Sequence, residues 1–309
     1  MNHWHPVAHR SELARPGDFI VLPWSAHGEI AVTNIGGELV AWDGRCPHRG
    51  ARIYGTEPRG NRPPACPYHG RLASANNVRR FPIAALGEFL FARNPSAGAA
   101  PLLGPPMIGL LKDAPPLAFH SALSFVMDCH WTVAVENALD FEHVEHVHGG
   151  SLAKLALVPK RLRPLDDGSS IEEFTSEAQR LGHLTRFFRH EKSFDYVHAH
   201  IFPYSCVSST RGWTYSLQHY FPRADGRTNF IHRLYTAETT RPMPEFFDSV
   251  ARLNERVFRE DAVVCAGIPA WFAGELGPRE DRIRHFRKFA GHPSHAGHLV
   301  AADSEGGEL

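Results

Sequence analysis

Two short segments, Cys46-Pro47-His48-Arg49-Gly50 and Cys66-Pro67-Tyr68-His69-Gly70, each set a thiol and an imidazole within three residues of one another and end on glycine. Seventeen residues separate His48 from Cys66. A structural zinc site also takes two Cys and two His. It ordinarily pairs Cys with Cys through two to four residues and His with His through three to five. Here both arms are mixed, and the first has a single spacer. That split suits a diamond-shaped [2Fe–2S] core, in which both thiolates hold one iron, both imidazoles hold the other, and two loops clasp the cluster from opposite sides. Exchanging two thiolates for neutral imidazoles reduces the negative charge of the site and lifts its potential to about −150 to +300 mV. Pro47 and Pro67 stiffen the loops, and Gly50 and Gly70 permit their sharp turns. The other cysteines, Cys129, Cys206 and Cys265, read as ordinary buried thiols; an odd, irregularly spaced set is no disulfide framework.

The chain has 309 residues, enough for two domains. Lys plus Arg equals Asp plus Glu at 33 each, so no global charge draws it toward nucleic acid or a lipid surface. No stretch approaches the roughly 18 apolar residues of a membrane span, and Met1–Ala14 lacks the apolar segment of a signal peptide. A soluble, unprocessed, cytoplasmic chain is expected. Before residue 44 the pattern is that of short strands, Phe19–Leu22, Glu29–Thr33 and Glu38–Trp42, the last two joined by the turn-rich Asn34-Ile35-Gly36-Gly37. From Pro95 to Pro116 the composition turns to Ala, Gly, Pro and Leu, with two Pro-Pro pairs that prevent any long regular element. The boundary is placed there, giving domains 1–104 and 105–309.

In the second part, Trp131–His146 carries apolar residues near a helical repeat, stopped by Gly149-Gly150. Residues 184–238 alternate as strands with a turn at Ala224-Asp225-Gly226, and 244–266 return to a helical apolar stripe. The expected fold class is α+β: a small all-β domain, then an antiparallel sheet wrapped on a long helix. The tail after His295 reads as disordered.

With these residues in view, the sequence resembles the oxygenase (α) subunits of the Rieske non-haem iron oxygenases. The two loops are that family's most specific signature; His3-Trp4-His5-Pro6-Val7-Ala8 looks like its opening strand, and the hairpin before Cys46 matches in length. Arg71-Leu72 stands where an aromatic often follows the second His-Gly, a departure that touches packing and not the ligands. The resemblance implies a helix-grip catalytic domain and a mononuclear Fe(II) held by two histidines and one carboxylate on one face, leaving positions open. The family pattern Asp-x-x-His-x-x-x-x-His falls on Asp140, His143 and His148. Periodicity alone favours another pair: on an undistorted helix His143 and His146 share a face, whereas His148 lies about 140° from His143. The family reading therefore requires the helix to end or loosen before Gly149, with His146 as the reserve ligand. In Phe258-Arg259-Glu260-Asp261, the family's late helix puts the third ligand at Asp261; without the resemblance it is inseparable from Glu260. Asp140 is implied to partner the His143 imidazole and to bridge toward the second cluster histidine, here His69, of a neighbouring subunit.

No Gly-rich dinucleotide fingerprint follows a strand, so NAD(P)H is expected to be used by a separate flavin- or ferredoxin-type reductase. Eight arginines (45, 49, 52, 59, 62, 71, 79, 80) against Asp43 and Glu57 make a basic stretch, either a docking surface for an acidic electron donor or a set pairing with a sister subunit. The resemblance further implies head-to-tail homotrimers. The short chain looks more like the trimeric monooxygenases and demethylases than the longer ring dihydroxylases. The expected activity is hydroxylation or oxidative demethylation of an aromatic or cyclic small molecule. Ring cis-dihydroxylation, and a non-catalytic electron carrier fused to a ligand-binding domain, are the competing readings.

Overall fold

The computed structural model describes residues 3–24, 28–53, 64–74, 77–95, 103, 105–152, 157–177, 193–210, 213–237, 244–272 and 274–292. Arg59, Arg62 and the tail after His295 lie outside them. Contacts divide the chain into two compact units, one through Ser121 with 221–224 and the stretch from Tyr235, the other holding the rest.

The first unit is β-rich, as its alternating pattern requires. Strands β1 (His5–His9), β2 (Phe19–Pro23), β3 (Glu29–Ile35), β4 (Glu38–Asp43), β5 (Arg80–Phe81), β6 (Ile83–Leu86) and β7 (Phe89–Ala92) form two antiparallel sheets, ordered β2-β3-β4-β5 and β1-β7-β6. Gly36 and Gly37, both at positive φ (61° and 100°), close the β3–β4 hairpin as a two-residue primed turn demands. Val40, Trp42, Ile53, Ala73 and Val78 pack around Cys46 and Cys66 in one buried cluster. The proline-rich connection contains an element the sequence did not announce, helix α1 (Pro105–Lys112). Its two prolines occupy the first turn, where the missing N–H groups have no intrahelical partner to lose.

Further along the chain come strand β8 (Leu117–Met127), helices α2 (Trp131–Leu139) and α3 (Val144–Val147), strands β9 (Val158–Pro164), β10 (Ser170–Glu177), β11 (Ser193–Ile201), β12 (Ser205–Thr210), β13 (Thr214–Pro222) and β14 (Thr228–Ala237), then helices α4 (Pro244–Cys265) and α5 (Asp281–Ala290). The strands make one seven-stranded sheet, ordered β8-β14-β13-β12-β11-β10-β9. Helix α4 lays Phe246, Phe247, Val250 and Leu253 on Phe194 and Tyr196 of β11, and Phe258 on Phe230 of β14 at 4.8 Å between rings. This is the sheet-and-long-helix arrangement expected from the alternating and helical patterns. It is wider than those patterns suggested: β8, β9 and β10 add strands that precede the alternating stretch 184–238.

One reading needs correction. Trp131–His146 is not one helix: α2 stops at Leu139, Asp140 caps it in an extended conformation (φ −86°, ψ 113°), and a single turn, α3, follows. The Asp140 side chain causes the break locally, its Oδ1 accepting from the backbone N–H of Glu142 at 2.8 Å and of His143 at 3.4 Å. Aspartate competes in this way with continued helix.

Candidate functional site

The cluster loops are two copies of one turn. In the first, the Gly50 N–H donates to the Cys46 carbonyl and the Cys46 N–H to the Ala51 carbonyl; in the second, Gly70 donates to Cys66 and Cys66 to Arg71, all four at 2.8 Å. Gly50 and Gly70 sit at φ 69° and 67°, and bridges Arg45–Arg52 and Ala65–Leu72 close the two turns at equivalent positions. The match is a shift of 20 residues, which puts His48 opposite Tyr68 and Arg49 opposite His69. The unequal Cys-His spacings are therefore two positions on the same turn.

Cys46 and Cys66 are buried, free of disulfide and close enough for thiol–thiol hydrogen bonding, whereas His48 and His69 are exposed, their ring centroids 5.0 Å apart. The backbone N–H of Tyr68, then that of His69 and the Cys46 thiol, outweigh burial and hold the Cys66 thiol below its ordinary range. This is a two-sided donor set, thiols inward and imidazoles outward. Donors on one tetrahedral zinc would lie about 3.5–4 Å from one another. The loop donors instead fall into two like pairs, the thiols buried and the imidazoles exposed, the division a two-iron core with thiolates on one iron and imidazoles on the other calls for.

A trio, His143, His148 and Asp261, takes two members from the short turn that follows the break at Asp140 and one from α4. His143 caps the start of α3 and His148 its end, so the short turn brings together two side chains that a continuous helix would splay, their ring centroids 5.2 Å apart. His146 is exposed and stands outside the group. Asp261, on α4 and 8% exposed, places Oδ1 3.2 Å from Nε2 of His143 and 3.0 Å from Nε2 of His148. Although buried, that oxygen makes no hydrogen bond of ordinary geometry, so the three groups face a shared point rather than one another. Ligands about 2 Å from one divalent ion and a right angle apart would themselves lie about 3 Å apart. The donor set, two imidazoles and a carboxylate on one side, is that of a non-haem Fe(II) site. Burial pushes the Asp261 carboxyl up, and the two imidazoles outweigh it and hold it below the ordinary carboxylate range.

Sequence reasoning passed over Glu260 as a participant. Its Oε2 accepts from Nδ1 of His148 at 2.9 Å and from the Ser151 hydroxyl at 2.5 Å, and its Oε1 accepts from Arg256 at 3.0 Å. Glu260 thus orients His148 with Nε2 toward Asp261 in the usual carboxylate–histidine–metal manner. The neighbouring pair Glu260-Asp261 divides its work because adjacent helix positions point about 100° apart. Asp140 makes no hydrogen bond to the His143 ring: Oδ2 lies 3.9 Å from Nδ1. Of the basic stretch, Arg45 and Arg52 pair with Glu29 and Arg79 with Asp43, while Arg49 reaches Tyr68.

The trio lines a cavity of about 220 Å3 between α2, α4 and the sheet. An apolar cavity of about 150 Å3 already admits benzene, so one substituted ring fits. Its walls mix Phe141, Tyr196 and Phe258 with small hydroxyls such as Ser208 and Ser216.

The sequence profile of the Rieske [2Fe-2S] domain matches residues 3–82, and that of the vanillate O-demethylase oxygenase C-terminal domain matches 127–281, just over half of the chain. No curated protein matches the sequence. Among solved structures, the quaternary ammonium Rieske monooxygenase CntA, in complex with an inhibitor, is similar at 18% identity and a TM-score of 0.72, over 94% of this chain and 88% of that one. Dicamba monooxygenase bound to dicamba is similar at 16% identity and 0.64, over 97% and 98%. NdmA of Pseudomonas putida CBB5, with caffeine, is similar at 19% and 0.59, over 94% and 90%. Both halves of the architecture and the domain profiles agree, and the chain belongs to the Rieske non-haem iron oxygenases, in the group whose catalytic half is the vanillate O-demethylase oxygenase C-terminal domain.

Proposed function

We propose that this chain is the oxygenase component of a multicomponent monooxygenase that hydroxylates or oxidatively demethylates an aromatic or other cyclic small molecule. Cys46, His48, Cys66 and His69 hold the [2Fe–2S] cluster, and His143, His148 and Asp261 hold Fe(II). The observation that carries the reading is the trio: ligand atoms from residues more than a hundred positions apart meet within 4.8 Å at the wall of a cavity sized for one ring. When bound, the iron supplies dioxygen activation with electrons delivered one at a time through the cluster. The chain's own residues do the rest. Glu260 orients His148, the aromatic wall holds the ring and excludes water, and the exposed imidazoles of His48 and His69 present the cluster's outer edge for electron entry. Residues 1–104 form the cluster domain and 105–309 the catalytic domain. The protein works in the cytoplasm as a homotrimer fed by an NAD(P)H-dependent reductase, and Asp140 links the iron site to a neighbouring subunit's cluster.

The test is turnover of the iron-loaded protein with a Rieske-compatible reductase, NADH and a panel of methoxyarenes under labelled dioxygen. One labelled oxygen in product or released formaldehyde is expected. Two labelled hydroxyls would establish the dihydroxylase reading, and a second iron absent from purified protein would establish the electron-carrier reading. Asp140→Asn should retain cluster and iron yet lose coupled turnover by 100-fold or more, an order-of-magnitude expectation for a lost relay group. Full activity there would remove the bridge.

A further inference from the structure

Behind the cavity wall lies a buried cation the activity does not use. Arg282, on α5 and 2% exposed, reaches Glu172 of β10 at 3.3 Å, the Ser170 hydroxyl at 3.4 Å, and both the Nδ1 (3.0 Å) and the carbonyl oxygen (3.2 Å) of His198 on β11. A guanidinium has donors and no acceptor, so Nδ1 of His198 carries the lone pair. Burial, then the Arg282 charge, push His198 far below its ordinary range and keep the ring neutral. A neutral ring with a bare Nδ1 bears its proton on Nε2. Nothing among the described residues accepts that proton, although His198 is itself 2% exposed and its ring lines the cavity.

The sheet register explains why the ring faces open space. His198 pairs with Ser208 of β12, and Ser208 with Ser216 of β13, so a row of small side chains runs on from the imidazole. Those hydroxyls are already engaged, Ser208 with Tyr196 and Ser216 with His232 at 3.0 Å. Phe141 packs edge-on to the ring of His198 at 5.3 Å and fixes its plane. Among the described residues lining the cavity there is no lysine or arginine, while Asp140 and Asp261 are both present, and the charge of Arg282 is met by Glu172.

We propose that His198, locked by Arg282 into presenting its Nε2–H to the cavity, is a specificity-determining donor that selects substrates carrying an uncharged carbonyl-type oxygen on the ring. This deepens, and rests on, the reading of the cavity as the substrate site. A buried donor left without an acceptor is costly, so a ligand lacking that oxygen is penalised on the order of 10- to 100-fold in affinity. Arg282 touches no substrate and is a positioning residue.

The experiment compares near-isosteric probes on iron-loaded holoenzyme by calorimetry: 4-methoxyacetophenone, 4-isopropenylanisole, in which a methylene replaces the carbonyl oxygen, and 4-methoxybenzoate. The ketone should bind at least 10-fold tighter than the alkene and tighter than the carboxylate. In His198→Leu the ketone-to-alkene ratio should fall to within about 3-fold while His198→Gln, which keeps a donor, recovers part of it. Gln218→Leu, removing one of the three amide side chains in the wall, should leave the ratio as it is. Equal or absent binding of ketone and alkene by the unaltered protein, a ratio that survives His198→Leu, or one that follows Gln218, each overturns the proposal; tighter binding of the carboxylate overturns the uncharged class. The probe comparison needs no variant, so it stands even if His198→Leu does not fold. Formaldehyde release and hydroxylated product are read in parallel: selective binding with neither from any methoxy probe fails the monooxygenase reading alone, and turnover without selectivity fails this inference alone.

Discussion

The two candidate metal sites are assembled in opposite ways. Around the cluster, one ten-residue turn is used twice, and each copy supplies a buried thiol and an exposed imidazole from within four residues of sequence. Around the iron, a broken helix and a long helix more than a hundred residues away each give what the other lacks, and Glu260 and Ser151 hold one ligand in place. The first site needs little beyond its loops. The second exists only once the domain has folded, and it comes lined with a cavity.

The sharpest break in the comparison comes from removing one ligand at a time. Cys66→Ser should abolish the cluster, with its visible absorption and reduced-state EPR signal, and with them all turnover, while about one iron per chain stays at the second site. His143→Ala should do the reverse: turnover vanishes and iron falls by about one per chain, with the cluster spectrum intact. His146→Ala should change neither metal, because that side chain is exposed. Iron lost only in the His146 variant would invalidate the assignment of the pair.

This asymmetry also decides what the sequence could reveal. The loop donors are legible because turn, proline, glycine, thiol and imidazole lie in one short string. His148 was not legible from periodicity, since a regular helix would have paired His143 with His146; the residue that breaks the helix, Asp140, looked like one more helical acid. Family resemblance picks His148, which stands with His143 and Asp261 in the structure, where the 3.6-residue repeat picks the exposed His146. Helix α5 was missed for a related reason. Its inward face includes Arg282 and Arg287, the latter doubly bonded to Glu136 of α2 at 2.8 and 2.6 Å, so Arg-Ile-Arg-His-Phe-Arg-Lys reads as solvated surface although two of its arginines are buried and paired. A buried arginine is recognised only by its partners, and those lie on other elements.

A subtler effect is expected one step out from the iron. Glu260→Gln keeps an acceptor for Nδ1 of His148 but removes the charge that raises its basicity, so Fe(II) or Co(II) affinity should drop by about 10-fold, within the 10- to 100-fold range of such partners. Equilibrium metal titration reads it directly. Asp261→Asn, by contrast, should lose the metal altogether. Equal losses in the two variants would mean that both carboxylates ligate, and the division of labour between neighbours on α4 would be wrong.

The smallest expected effect tests whether the loops are true copies. A Cβ at Gly50 or Gly70 would meet nothing within 4 Å, so an alanine there adds no clash and isolates the backbone cost of a positive φ. That cost is about 1 kcal/mol, which corresponds to a melting temperature lower by about 2–4 °C in a chain of this size. Because φ is 69° in one loop and 67° in the other, Gly50→Ala and Gly70→Ala should be displaced by the same amount, and asparagine, which tolerates this region, should recover part of it in both. The cysteines are inside and the histidines outside in both loops, so neither variant should alter cluster content at low temperature. A loss several times larger in one loop than in the other would show that the two turns, alike in hydrogen bonds and dihedrals, carry unequal load, and that the cluster is gripped from one side rather than two.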